Sequence, residues 1–278
     1  MKHFFVIFFV VIISETVLAQ KMPTDYFDEA CTYFEDGNYS KSLSSFQYIV
    51  DNYPNNELYS KSYYNVGHIC FLQKKYKKAI RVFNSILKSD FNEKESLGGG
   101  IMADPYTNYR HRASKLLSDI YFDKRQFKKS LYYLELSDSI YSYLHFCGNE
   151  YASNDVQTAL RYSEIFQNLN EPDKAIEKLL PNVFITLANN SKIFDDLKLL
   201  LIKRVVSIDE LDTSLNNIYS KSYERDSIKY TRYFFKYLNA EIPVPYYKNE
   251  KDSDFNIKEA IIKIKESNFY KLIEELKK

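Results

Sequence analysis

Residues 61–91, KSYYNVGHICFLQKKYKKAIRVFNSILKSDF, carry two apolar stripes on either side of a short polar break. Tyr63, Val66, Gly67 and Cys70 recur at one-turn spacing before the break; Tyr76, Ala79, Ile80, Phe83, Ile86 and Leu87 do so after it. Residues three and four apart share a helix face, so each half predicts an amphipathic helix whose stripe must be covered. Gln73 to Lys75 is the turn, and the small residues Gly67 and Ala79 fall where two closely packed helices leave little room. One pair leaves a further apolar surface open, so more pairs are required.

The stretch from Thr24 to Asn56 supplies one. Tyr26, Ala30, Tyr33 and Phe34 form its first stripe, Asp36-Gly37-Asn38 its turn, and Tyr39, Leu43, Phe46, Ile49 and Val50 its second stripe, closed by Tyr53-Pro54-Asn55. Ala30, Gly37, Tyr39, Ser42, Phe46 and Pro54 resemble the tetratricopeptide repeat, in which a small mid-helix residue, a turn glycine, an aromatic, a second small residue, a large apolar one and a closing proline follow in order. Gly67, Tyr76, Ala79, Phe83 and Ile86 match it again, with Phe91 in the place of the proline. Two weaker units follow. One has Ser114, Leu117, Ser118 and Tyr121, then Phe127, Ser130, Leu131 and Leu134; the other has Ala159, Tyr162, Ser163 and Phe166, then Pro172, Ala175, Ile176, Leu179 and Leu180.

The resemblance implies a mostly α fold: a tetratricopeptide-like helical-hairpin solenoid with a small C-terminal α or α+β region. Four helix pairs are expected within 20–183, at about 24–56, 60–91, 109–147 and 156–183, followed by a C-terminal region over 184–278. Residues 92–108, with three successive glycines, read as an exposed loop; no Gly-Lys-Ser or Gly-Lys-Thr follows them to make a phosphate loop. Beyond Phe184 a helix is expected around Leu197, Leu200 and Leu201, and a short one from Leu211. Tyr230, Arg232, Phe234, Lys236 and Leu238 alternate as a strand does, which favours a β-hairpin near 229–245 over a helix, with Pro243 and Pro245 marking an edge. Phe255 to Leu276 is amphipathic, breaks near Ser267-Asn268, and is expected to cap the stack.

The chain begins Met-Lys-His, runs apolar from Phe4 to Ile13, and offers Val17-Leu18-Ala19 before Gln20. That pattern predicts an export signal over 1–19, hence a periplasmic or secreted protein with no integral membrane segment after cleavage. Cys31, Cys70 and Cys147 are an odd number and sit in mostly apolar contexts, so no disulfide scaffold is expected. Lys plus Arg number 38 against 37 Asp plus Glu, a balance that gives no support to a nucleic-acid surface.

No reaction-specific constellation is present. His68, His111 and His145 are scattered, no HExxH, paired CxxC or GxSxG occurs, and neither catalytic residues, a metal, a cofactor nor a small-molecule ligand is expected. What the repeat resemblance does imply is a groove walled by the first helix of each pair. Its positions here are Phe27, Tyr64, His68, Phe71, Arg112, Lys115, Asp119 and Phe122 as candidate partner contacts, with Gln157, Leu160, Glu164 and Gln167 from the fourth unit. Members that clamp a terminal carboxylate carry Lys and Asn where this chain has Phe27, Cys31, Tyr64 and His68, so that mode is not matched. The expected function is non-enzymatic binding or assembly through a protein or peptide in the groove. Two alternatives stand beside it: an enzyme or accessory with a site in 208–254, and a periplasmic immunity or inhibitor protein. N-terminal sequencing of protein recovered from the native envelope should begin at Gln20; a chain retaining Met1 would contradict the cleavage.

Overall fold

The computed structural model of the chain describes residues 21–95, 106–225, 228–245 and 255–277. The expected signal at 1–19, the three-glycine run Gly98–Gly100 and the polar linker of residues 248–254 lie outside the described residues. The fold class is the one expected: mostly helical, made of consecutive helical hairpins consistent with a tetratricopeptide-like solenoid, with a small C-terminal region of strands and helices. Two compact units divide it, Met1–Lys75 and Tyr76–Lys278.

In the first unit, α1 (Pro23–Glu35) and α2 (Tyr39–Asn52) pack as a hairpin and α3 (Tyr59–Leu72) packs on α2. Ala30 is completely buried, and the buried Ser42 hydroxyl donates to the Ala30 carbonyl at 2.8 Å. A small side chain on each helix is what lets a hydroxyl on one reach the backbone of the other. Phe46 and Ile49 fill the space below this contact.

The second unit holds α4 (Tyr76–Leu87), α5 (Tyr109–Asp123), α6 (Phe127–Glu135), α7 (Gly148–Asn168), α8 (Pro172–Leu179), α9 (Ser191–Leu201) and α10 (Ile208–Leu215), then three strands and α11 (Ile257–Lys265) and α12 (Asn268–Leu276). Between α5 and α6 the small-residue contact recurs: Ser118 donates to the Ser130 carbonyl at 2.9 Å, and Ser114 to the Tyr133 carbonyl at 2.7 Å. Helix α6 runs on into a single π-helical stretch, Leu136–Ile140, whose end is fastened to the buried His111. Nδ1 of His111 lies 3.1 Å from the Ser137 carbonyl and 2.9 Å from that of Tyr141. Both partners only accept, so Nδ1 carries the proton, and burial pulls the imidazole below its ordinary range. Asn108 completes this fastening: its amide donates to the Leu144 carbonyl at 2.9 Å and its carbonyl oxygen accepts from the Leu144 N–H at 2.8 Å.

Four turns share one construction. Gly37, Lys74, Arg125 and Asn170 each follow a first helix, and each has a left-handed backbone, with φ of 72°, 56°, 55° and 59°. In every case the N–H of the next residue returns to a carbonyl five positions back, as Asn38 does to Tyr33, Lys75 to Cys70, Gln126 to Tyr121 and Glu171 to Phe166. This is the Schellman closure, which satisfies carbonyls the helix end would otherwise leave open. Only the first turn uses glycine.

The C-terminal strands β1 (Tyr219–Arg225), β2 (Ile228–Tyr237) and β3 (Ala240–Pro243) form an antiparallel sheet in the order β1-β2-β3. It is one strand larger than the hairpin expected near 229–245, because the polar run from Tyr219 also pairs. Tyr233, Phe235 and Tyr237 face the core, where Phe235 and Ile242 are fully buried with Leu197, Leu201, Leu211, Ile264, Phe269 and Ile273. The alternation visible in sequence, Arg232-Phe234-Lys236, is therefore the outer face. The break in the terminal helix falls where expected, with the Ser267 hydroxyl accepting from the Tyr270 N–H at 3.2 Å as the cap of α12.

A Cβ at Gly37 would meet nothing within 4 Å, so Gly37→Ala tests the left-handed backbone alone. It should destabilise by about 1 kcal/mol in urea denaturation, whereas Arg125→Gly should stabilise by a similar or smaller amount.

Candidate partner-binding faces

In the first unit Tyr64 and His68 lie one turn apart on α3, their rings stacked with centroids 6.0 Å apart. The His68 ring also meets Phe34 of α1 at 6.0 Å, and Phe34 meets Tyr39 at 5.4 Å. Two predicted positions, Tyr64 and His68, thus join Phe34 in a half-buried aromatic strip that runs from α1 to α3. Phe71 is half-buried at the end of α3. Phe27 sits against α2 instead, its ring edge-on to the buried Phe46 at 5.4 Å. Burial pushes the half-buried Cys31 thiol up, with Asp28 and Glu35 adding to the effect, so it is a poor nucleophile.

In the second unit three of the predicted positions on α5, Lys115, Asp119 and Phe122, meet α7, and two of these are charged. Asp119 receives Nη2 of Arg161 at 2.6 Å, and Nη1 of the same guanidinium reaches Glu164 at 2.9 Å. The guanidinium also lies over the Phe122 ring, 4.6 Å from its centroid, and Phe122 meets Phe127 edge-on at 5.4 Å. Lys115 donates to the Asn154 side chain at 3.1 Å. Arg112, three residues before it, is half-buried. Lys115, Asp119, Gln157, Leu160, Arg161 and Lys192 line an open cavity of about 270 Å³. The electrostatics follow from partial withdrawal from water: burial pulls the Lys115 ammonium down, and pushes the Asp119 carboxyl up against the opposing pull of Arg161.

Arg161 and Lys192 escaped the sequence reading. Glu164 three residues on is the one local sign of Arg161's role, an i, i+3 pair on a helix surface. Its second partner, Asp119, is 42 residues away, and no spacing rule reaches it. Lys192 arrives from α9, beyond the four units expected, and is itself paired with Asp196 at 2.9 Å.

A separate cavity of about 550 Å³ opens between the end of α10 and the outer face of the sheet, inside the stretch 208–254 singled out above. Glu241 is one of its lining residues, accepting from the Tyr219 hydroxyl and from Lys221 Nζ at 2.5 Å. These two donors, Lys221 first, hold the Glu241 carboxyl below its ordinary range. Burial and the bond to Glu241 push Tyr219 up to about 12. Among the described residues no three His, Cys, Asp or Glu side chains converge as a metal would require.

The family model for the tetratricopeptide repeat matches residues 60–93. The second helix pair is tetratricopeptide-like. That repeat contains Tyr64, His68 and Phe71, so three of the eight predicted positions lie on the matched segment itself; Phe27 rests on the pattern of the first unit, and Arg112, Lys115, Asp119 and Phe122 on that of a weaker one. No curated protein matches the chain.

Arg161→Gln should move the Asp119 titration upward, followed by carboxyl-carbon NMR, because the charge that favours the ionised form is gone while burial remains. With a folded pKa raised above the unfolded one, that group favours the fold below the ordinary carboxylate range. Its contribution is lost as pH rises through the folded value, so the variant should lose stability on going from acid to neutral pH relative to the parent.

Proposed function

We propose that the chain is a non-enzymatic scaffold that binds a protein or peptide along the inner faces of its repeat helices, outside the cytoplasm. The tetratricopeptide match supports a role in protein–protein interaction. The observation that carries the binding mode is the α5–α7 cavity, where Lys115 hydrogen-bonds the neutral Asn154 side chain and feels Asp119 only through space, while the neighbouring Arg161 is held directly by two carboxylates. A partner carboxylate or carbonyl entering there gains a charge-assisted bond from Lys115 and displaces no existing ion pair. The aromatic strip of the first unit supplies the other kind of contact, large rigid rings with few rotors to immobilise. Near-equal numbers of acidic and basic residues favour a protein partner over nucleic acid. The export pattern at 1–19 supports action in the periplasm or beyond, and no helix among the described residues is long and apolar enough to cross a membrane.

Lys115→Ala and Tyr64→Ala, made separately, should leave the helical circular dichroism and melting temperature near the parent values. Each should reduce recovery of a partner captured from the native envelope fraction by about tenfold. Undiminished recovery by both variants would overturn the groove reading.

A further inference from the structure

The cavity beside the sheet is built from a different chemistry from that of the repeat faces. Its walls are Ser214 and Asn217 at the end of α10, Tyr219 and Lys221 on β1, and Lys236 and Glu241 on the two strands beyond. The strand register brings them together. Lys236 stands opposite Glu241, and Tyr219 opposite Phe234, so alternate residues of three strands share the outer face while Phe235 and Tyr237 face the core. Lys221 and Arg232 lie over the Phe234 ring, at 5.4 and 6.0 Å, and cover this large apolar side chain.

Three groups in this wall are left with bonding capacity. Glu241 is engaged by Tyr219 and Lys221, which keeps it ionised, so the two lysines and one carboxylate leave a net positive charge at Lys236. Lys236 is exposed, has no side-chain hydrogen bond among the described residues, and is attracted only through space by Glu241, which stands opposite it. The Ser214 hydroxyl, half-buried, has no such hydrogen bond either. The Asn217 amide nitrogen is used by the Thr213 carbonyl at 2.9 Å, which leaves its side-chain oxygen as an acceptor. The cavity therefore offers a cation, a hydroxyl and acceptors along one lining, in a space within the range of about 300–1,000 Å³ typical of small-molecule sites.

We propose that this cavity binds an acidic sugar unit, a hexuronic acid, with its carboxylate on Lys236 and its hydroxyls on Ser214, Asn217 and Glu241. An apolar ligand would bring no counter-charge to Lys236, and a simple carboxylate such as acetate carries no donor for the Asn217 oxygen or Glu241. Vicinal hydroxyls both donate and accept, so a sugar satisfies a serine hydroxyl, an amide oxygen and a carboxylate at once. This site lies apart from the repeat faces and does not depend on the groove reading. It departs from the expectation that no small molecule is bound.

The test is an amide NMR titration of the chain with sodium D-glucuronate, and with D-glucose, sodium acetate and inorganic phosphate as separate probes. Glucuronate should saturate in the millimolar range with shifts at Ser214, Asn217 and Lys236, and each of the other three should bind at least about tenfold more weakly. Lys236→Ala should weaken glucuronate about tenfold, bringing it close to glucose, with no change in melting temperature because the side chain is exposed. Ser214→Ala should weaken glucuronate and glucose together while leaving acetate unchanged. Equal affinity for glucuronate and glucose, equal affinity for glucuronate and acetate or phosphate, shifts confined to other regions, or no saturable shift would each overturn the proposal.

Discussion

Close approach of paired helices is the constraint on which the repeat region depends. Where Ser42 reaches the Ala30 carbonyl and Ser118 the Ser130 carbonyl, the two backbones are near enough for a one-carbon side chain to bridge them. A larger residue at either place would force the helices apart and separate the apolar stripes that flank the contact. The same twelve-residue interval joins Ser163 to Ala175, two buried positions with small side chains. The left-handed turn residue between the members of each pair is the complement of this spacing. It reverses the chain within two or three residues and closes the carbonyls of the first helix while doing so.

With the backs of the helices committed to that contact, the first helix of each pair has one face left over, and its composition differs between units. In α1 and α3 the leftover face is aromatic, and its rings satisfy one another by stacking. In α5 and α7 it is ionic, and half-withdrawn from water. There an ion pair is worth more than on an open surface but comes with a desolvation cost, and the opposite shifts of Lys115 and Asp119 record that cost. Arg161 joins both chemistries, with carboxylates at its edges and the Phe122 ring against its plane. The sheet beyond α10 sets a third chemistry outward, because the face of β2 with Phe235 and Tyr237 is claimed by the core and the other carries Arg232 and Lys236 about Phe234.

The helix pairs, their turns and their small-residue positions were legible because they depend on residues close in sequence with a period near 3.6. Gly37 and the Asp-Gly-Asn turn around it could be read directly. Lys74 and Arg125 gave no such sign, since lysine and arginine do not announce a left-handed backbone; their place in the turn is forced by the closure around them. The start of α7 at Gly148 instead of Val156 had a signal in Ala152, one turn before Val156, but a lone alanine in a polar stretch is weak evidence. Of the candidate site, Asp119 and Phe122 stood at readable positions, whereas Arg161 and Lys192 did not.

Sequence alone determined that this chain is built of helical hairpins and where the first of them turns, because both follow from local periodicity and steric size. Only the tertiary structure decided that Arg161 would bind Asp119 and cover Phe122, that Phe27 would turn toward Phe46, and that the strip beginning at Tyr219 would become a strand. Those outcomes depend on elements tens of residues apart meeting at one place. Charge and ring chemistry allow many such meetings, and packing selects among them.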